Sequence, residues 1–349
     1  MCHNIQRVLF SMNFKIVFVI SFLMASLSVF AQTEANFPTM HFNGVIKNQL
    51  SYAPEANEVR FSVRHARINF RGDIAPLVSY HTQMELSSNG SFHVLDLTAI
   101  FRPTNNLALH FGQFYIPLLD PYITSPAQAM FANHAFIQHL VRNRDLGFMA
   151  SYGFSVGRVP VLIDAGVFNA NTINAPTWNS PDSLSVLLRA NFGSMTGFRT
   201  SIKMYNHPSA ARDVHHRFFG VTARYETSNW RVDSEVMWRN DRNNSHLNMF
   251  TTYIQAAYTH PIQHNRFFHA VVPAVRWDTL TQNDPDSNGI DMHRITTGIG
   301  FTLTNAPWTR TSILRFDYEW FMINNRIDQF FEAQNADSNR FTVGLVLNF

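Results

Sequence analysis

Arg340-Phe-Thr-Val-Gly-Leu-Val-Leu-Asn-Phe349 closes the chain, with Phe341, Val343, Leu345, Leu347 and Phe349 alternating against Arg340, Thr342, Gly344, Val346 and Asn348. Side chains point to opposite faces at successive strand positions, so this segment has one wholly apolar face and one mostly small or polar face. Two environments suit such a strand: the half-buried sheet of a sandwich, or a sheet whose apolar face meets lipid. The rest of the chain decides between them.

The amino-terminal end reads as an export signal. Met12-Asn-Phe-Lys15 precedes an apolar stretch from Ile16 to Phe30, and Val29-Phe30-Ala31 before Gln32 fits the small-residue cleavage rule, so residues 1–31 are expected to be removed. Cys2, the one cysteine, leaves with that segment, which excludes a disulfide framework, a thiol nucleophile and a thiolate metal site. No later apolar run approaches the roughly 18 residues that a membrane helix needs. Aromatic content of 14% with only 15% charged residues then favours an all-β protein, a transmembrane antiparallel β-barrel of the bacterial outer membrane. A formal net charge of +3 gives no basic pull on nucleic acid.

Period-two alternation predicts about sixteen strands, near 40–52, 58–73, 77–88, 92–102, 107–115, 146–156, 160–170, 184–193, 197–206, 215–226, 230–240, 247–260, 267–280, 291–304, 310–323 and 339–349. They leave no room for a second domain, so residues 32–349 are expected to form one barrel. Brief turns near 73–76, 103–106, 157–160, 193–196, 227–229, 261–264 and 305–308 alternate with longer polar connections at 116–145, 171–182, 207–214, 281–290 and 324–338. Outer-membrane barrels have short periplasmic turns and long external loops, which places the amino terminus in the periplasm. Sixteen strands make a barrel wide enough for an aqueous channel.

The chain resembles the phosphate-selective porin O and P family in six places. Arg64-His-Ala-Arg-Ile-Asn-Phe-Arg-Gly72 is similar to that family's basic second strand, and Phe111-Gly-Gln-Phe-Tyr-Ile-Pro117 to the segment before its infolded third loop. Arg142-Asn-Arg-Asp-Leu-Gly147 resembles the exit from that loop and Gly166-Val-Phe-Asn169 the strand end that follows; Ala274-Val-Arg-Trp-Asp278 and the terminal strand complete the set. The departures are Tyr115 where the family has lysine, Ala170 where glycine is usual, and the lack of a coiled-coil arm. Lys47 and Lys203 alone remain after the signal. The resemblance implies a sixteen-stranded porin for passive diffusion of small hydrophilic solutes; with lysine nearly absent the family's phosphate binding does not carry over, and the expectation is a weak to moderate anion preference with phosphate as one candidate solute. Expected partners are outer-membrane lipids, small anionic or hydrophilic solutes, the barrel-assembly machinery through the terminal strand and Phe349, and further copies in a homotrimer.

A pore acts through the face turned from lipid. Alternation places Arg67, Arg71, Arg189, Arg199, Lys203, Arg224, Arg276, Arg294, Arg315 and Arg340 on that face, since an arginine on the lipid side costs about 2–4 kcal/mol near mid-bilayer. Guanidinium grips carboxylate or phosphate oxygens through a planar fork. Glu85, Asp96, Asp164, Asp233, Glu235, Asp278, Asp317 and Glu319 share the interior, so these arginines either meet solute or form structural ion pairs. Residues 116–145 are expected to form the constriction, with Met130, Phe131, Phe136, Ile137, Leu140 and Val141 against the wall and His134, His139, Arg142 and Arg144 toward the pore. The alternative is an external lid, and Arg144 beside Asp145 would then brace its exit.

Sixteen histidines invite a metal reading, but His215-His216 and His260 with His264 lack a helical face and a third ligand. No metal, cofactor or enzymatic activity is expected. The competing functions are a secretion or adhesion barrel and a lipid hydrolase, which would need Ser and His in hydrogen-bond reach on the outer wall; no such constellation stands out.

Overall fold

The computed structural model describes residues 37–120, 129–140, 144–170, 172–173, 178, 181–209, 214–243, 248–282, 289–305, 312–325 and 339–349. The expected signal segment, 1–31, lies outside them. The strands are β1 (His41–Ala53), β2 (Glu58–Ala75), β3 (Val78–Ser88), β4 (Ser91–Thr104), β5 (Leu107–Tyr115), β6 (Arg144–Val156), β7 (Val159–Phe168), β8 (Ser185–Gly193) and β9 (Gly197–Ser209). They continue with β10 (Val214–Glu226), β11 (Trp230–Asp241), β12 (Met249–Tyr258), β13 (His260–Pro261), β14 (Ala270–Gln282), β15 (Ile290–Thr302), β16 (Ile313–Asn325) and β17 (Arg340–Asn348). β12 and β13 pair with the same strand, β14, on either side of Thr259, so the seventeen segments make sixteen staves. Every expected strand is present.

Each stave pairs antiparallel with its chain neighbours, and β17 returns to β1 in the register Val45↔Asn348 through Tyr52↔Phe341. The sheet therefore has no free edge. At the seam, Gly44 and Phe349 exchange both backbone hydrogen bonds, at 2.8 and 3.0 Å. The Phe349 ring lies over Gly44, where a Cβ would collide with it, and 6.0 Å from the ring of Phe42. Between β3 and β4, Asn89 and Gly90 adopt φ of 52° and 92°, the two-residue turn that an Asn-Gly pair fits without strain.

The polarity is inverted relative to a water-soluble sandwich. Phe61, Phe111, Phe148, Phe198, Met204, Ile254 and Trp320 are exposed on the outside, whereas Lys47, Glu85, Asp164, Arg189, Lys203, Glu235, Arg276, Asp278 and Arg315 are buried. An apolar belt around a whole sheet demands lipid, and the buried charges demand partners. Aromatic rings border the belt at both ends, with Trp230–Tyr258 centroids 4.8 Å apart at one and Phe219–Trp238 and Trp238–Phe250 at 5.8 and 5.5 Å at the other.

Candidate functional site: the lumen and its infolded loop

The connection between β5 and β6 enters the barrel. Ile116, Leu118, Leu119, Phe136, Ile137 and Leu140 pack in one cluster with Tyr205, Phe218, Met237, Met249, Tyr253, Leu280, Ile290 and Met292, which project inward from β9 to β15. Met130 and Phe131 pack in a second cluster with Val45, Ala257, Val272, Ile313 and Val346. An apolar seat inside an otherwise polar lumen thus receives an apolar loop. Residues 121–128 and 141–143 of this connection lie outside the described residues.

Polar contacts fasten the loop's backbone to the wall. The amide of Asp120 donates to Glu235 (3.1 Å), that of Ala132 to Asp317 (2.6 Å) and that of Phe136 to Asp278 (2.8 Å). In return Lys47 donates to the carbonyl of Ala132, Arg276 to that of Asn133 (2.9 Å) and Arg294 to that of His134 (2.7 Å). The Asn133 side chain adds a bond to Glu319 at 2.6 Å. Loop backbone outside strand pairing leaves amides and carbonyls unpaired, and wall charges satisfy those named here.

The same charges satisfy one another. Arg294 reaches Asp278 at 2.7 Å and Glu319 at 2.6 Å, while its guanidinium lies 4.3 Å from the Phe136 ring centre. Arg276 is 3.5 Å from Asp278, Arg189 is 2.6 Å from Asp164, and Arg224 contacts Glu226 and Asp233. Arg199 pairs with Asp120, and Lys203 bridges Asp120 and Glu235 at 2.8 Å each. Burial opposes the ionised form of Asp120, but Lys203 and Arg199 beside it win and hold its carboxyl below the usual carboxylate range. Arg315, although it shares a face with Asp317, forms no ion pair with it: Asp317 serves the Ala132 amide, and Arg315 Nε is buried without a partner. Arg340 lies with its guanidinium 5.9 Å from the Phe321 ring centre.

Water-exposed charge on the lumen face lies on β2, β3 and the start of β6, with His216 and Glu226 on β10 at 17 and 14%. Arg67, His81 and Arg144 keep 16, 33 and 12% of their side-chain exposure, against 8% for Arg189 and 0% for Lys203. Arg67 Nε donates to Glu85 at 2.6 Å beside His65, which is 2.9 Å from the same carboxylate. Arg144 reaches Asp96 at 2.8 Å and Gln83 at 2.7 Å, so the expected brace to Asp145 is replaced by one across the lumen wall. Arg71 is exposed and has no carboxylate partner among the described residues. His134 lies on the loop near Lys47, His65, Arg67 and Arg276; burial, and then those positive charges, hold its imidazole well below the ordinary range. Arg142 lies outside the described residues, as does the side chain of His139.

Sequence reasoning missed Lys47, Asp120 and Asn133, which the loop's fastening depends on, and Arg231, which pairs with Asp233 at 2.8 Å. Lys47 shares parity with Gln49 and Ser51, the one signal that could have found it. One Ser–His contact is present after all: Ser185 Oγ and His207 Nδ1 are 2.9 Å apart. It faces the interior, and Ser185 has no exposed surface, so a lipid ester has no route to it.

An apolar belt bounded by aromatic rings, sixteen closed staves and a charged interior holding the third external connection define a transmembrane barrel with the outer-membrane porin fold. Solved structures of this kind superpose on it at a TM-score of 0.60: the outer membrane channel DcaP of Acinetobacter baumannii, 11% identical over 91% of this chain and 99% of that one, and an anion-selective porin from Comamonas acidovorans, 12% identical over 89% and 99%. The in-vitro folded outer membrane protein OmpT of Vibrio cholerae, in its trimer form, is 11% identical over 89% and 99%, also at 0.60. No protein-family model matches the chain, and no curated protein matches its sequence. At these identities the likeness is one of fold, and the finer resemblance to phosphate-selective porins rests on the six stretches quoted above.

Proposed function

We propose that the chain is a porin of the bacterial outer membrane, through which small hydrophilic solutes diffuse passively with weak to moderate anion preference, inorganic phosphate among the anions carried. The observation that supports this reading best is the uneven wetting of the lumen. The loop packs against β5 to β17 and β1, which leaves the hydrated strip of side chains on β2 to β4, with Arg144 at the start of β6, as the path for solute. Along that strip Arg67 and Arg144 are each neutralised by a carboxylate, whereas Arg71 is not. Paired charges project little net field, so the preference is mild and comes from focusing rather than from a tight anion site. Nothing in this scheme needs a catalytic group.

Purified protein in a planar bilayer under a salt gradient tests the reading: discrete conductance steps with a reversal potential displaced toward the anion equilibrium are expected. A barrel that folds but never conducts would favour a secretion or adhesion role instead. The amino terminus is placed in the periplasm, so an epitope inserted within 171–182 should be labelled on intact cells and one within 193–196 should not. The likeness to a trimeric barrel supports a homotrimer, to be weighed by ultracentrifugation in density-matched detergent.

A further inference from the structure

One stretch of the barrel's outer face interrupts the apolar belt. The outward positions of β10 run Tyr225, Ala223, Val221, Phe219 and then Arg217 and His215; those of β11 run Trp230, Val232, Ser234, Val236, Trp238, Asn240, with Arg242 just past the strand end. Arg217 is in register with Asn240, and the Arg242 amide donates to the His215 carbonyl at 2.9 Å. The two arginines are therefore diagonal neighbours, a relation that spaces backbones about 7–8 Å apart. Both are exposed, and both act electrostatically on His215.

Among the described residues no carboxylate shares this face: the adjacent Asp241 turns inward, where it contacts His216 at 3.0 Å and accepts the His215 amide at 2.8 Å. The outward neighbours described around them, Pro208, Asn240 and the Asn206–His215 pair, 2.7 Å apart, include no carboxylate. Two like charges at diagonal positions repel each other, and an anion held between them relieves that repulsion.

Their height relative to the belt is informative. Eight residues separate Tyr225 from Arg217, about 27 Å along a strand and about 20 Å along the bilayer normal at a tilt of about 40°, which brings Arg217 within about 5 Å of the far edge of an apolar band about 25 Å tall. Just inside that edge stands the Phe219–Trp238–Phe250 row. We propose that Arg217 and Arg242 bind a phosphorylated lipid of the outer leaflet, its phosphate oxygens between the two guanidiniums and its acyl chains along Phe219, Val221, Val236 and Trp238. Assignment to the outer leaflet rests on the orientation given under Proposed function.

The test is titration of the detergent-purified barrel by native mass spectrometry with three probes: diphosphorylated lipid A, the same lipid with its phosphates removed, and inorganic phosphate. Each basic group at a lipid surface contributes about fivefold, so R217A/R242A should bind lipid A about thirtyfold more weakly than wild type. R217K/R242K should retain most of the affinity, and Arg158→Ala, at the opposite rim, all of it. Heat-modifiable mobility on gels confirms that each variant is folded. Equal binding by wild type and the double alanine variant would overturn the proposal. So would equal binding of the dephosphorylated lipid, which means acyl adsorption only, or displacement by inorganic phosphate at matched concentration, which means a site for the free ion. Conductance is a separate readout: R217A/R242A should conduct as wild type does, and a non-conducting wild type would sink the channel reading while leaving the lipid result standing.

Discussion

Replacing Asp278 by alanine tests whether the loop is held in the barrel by wall charges. The carboxylate, fully buried, accepts two bonds from Arg294, at 3.0 and 2.7 Å, and one from the Phe136 amide at 2.8 Å. Its removal breaks a buried ion pair from one side, a loss of about 3–5 kcal/mol, because Arg294 is left with Glu319 alone to balance it. The orphaned amide adds about 1–3 kcal/mol. The folded barrel can recover part of this only by letting residues 131–137 leave the wall, where water would satisfy the amide. Equilibrium unfolding in urea, followed by tryptophan fluorescence in detergent, should therefore show a large destabilisation, and single-channel records should show a higher and noisier conductance. Asp278→Asn, which keeps an acceptor for the amide, should lose less, and Asp278→Ala combined with Arg294→Met should recover part of the stability, since the buried charge is then gone as well. An Asp278→Ala barrel within about 0.5 kcal/mol of wild type, the range of an ordinary surface substitution, and with unaltered conductance would refute the reasoning.

Arg71→Ala should shift the reversal potential toward cations more than Arg189→Ala, since Arg189 is buried away from the hydrated path, and the Arg71 shift should shrink as salt shortens the Debye length below its value of about 8 Å at physiological strength; equal, salt-independent shifts would contradict the hydrated-strip reading. Deleting Phe349 removes both seam hydrogen bonds to Gly44 and the ring above it, so heat-modifiable folded protein in the membrane fraction should fall. His134 is neutral in the folded state and protonates more readily when unfolded, so the unfolded chain binds the extra proton and stability should decline as pH falls below about 6.5. His134→Gln should flatten that decline in unfolding midpoints measured between pH 7 and pH 5.

The staves were legible because lipid imposes a strict rule on one face: Phe198, Ile202 and Met204 face outward, so Arg199 and Lys203 must face inward. The infolded loop was legible too, since Phe131, Phe136 and Ile137 have no place in an external loop. What alternation does not encode is which part of the wall the loop covers. Arg71 and Arg315 have the same inward phase, yet one is exposed and the other buried, because the loop seats on the side of β16 and not on that of β2. The fastening itself was equally hidden, for it consists of backbone amides meeting carboxylates as far away as 185 residues, Ala132 to Asp317.

The seam between β1 and β17 bears on how the molecule is made. Tyr52 meets Phe341 across it, so the pairing that abolishes the sheet's edges joins the start of the described chain to its end. Hairpins along the chain can form from local contacts, whereas this pairing waits until the last strand is available, the slowest kind of contact for a chain to find. Until then β1 offers an unpaired row of donors and acceptors, a template for any other extended chain. Assembly is thus all-or-none at its final step: an intermediate lacking one stave is an open sheet exposed to aggregation and proteolysis, and quality control can monitor barrel completion through the fate of a single strand edge.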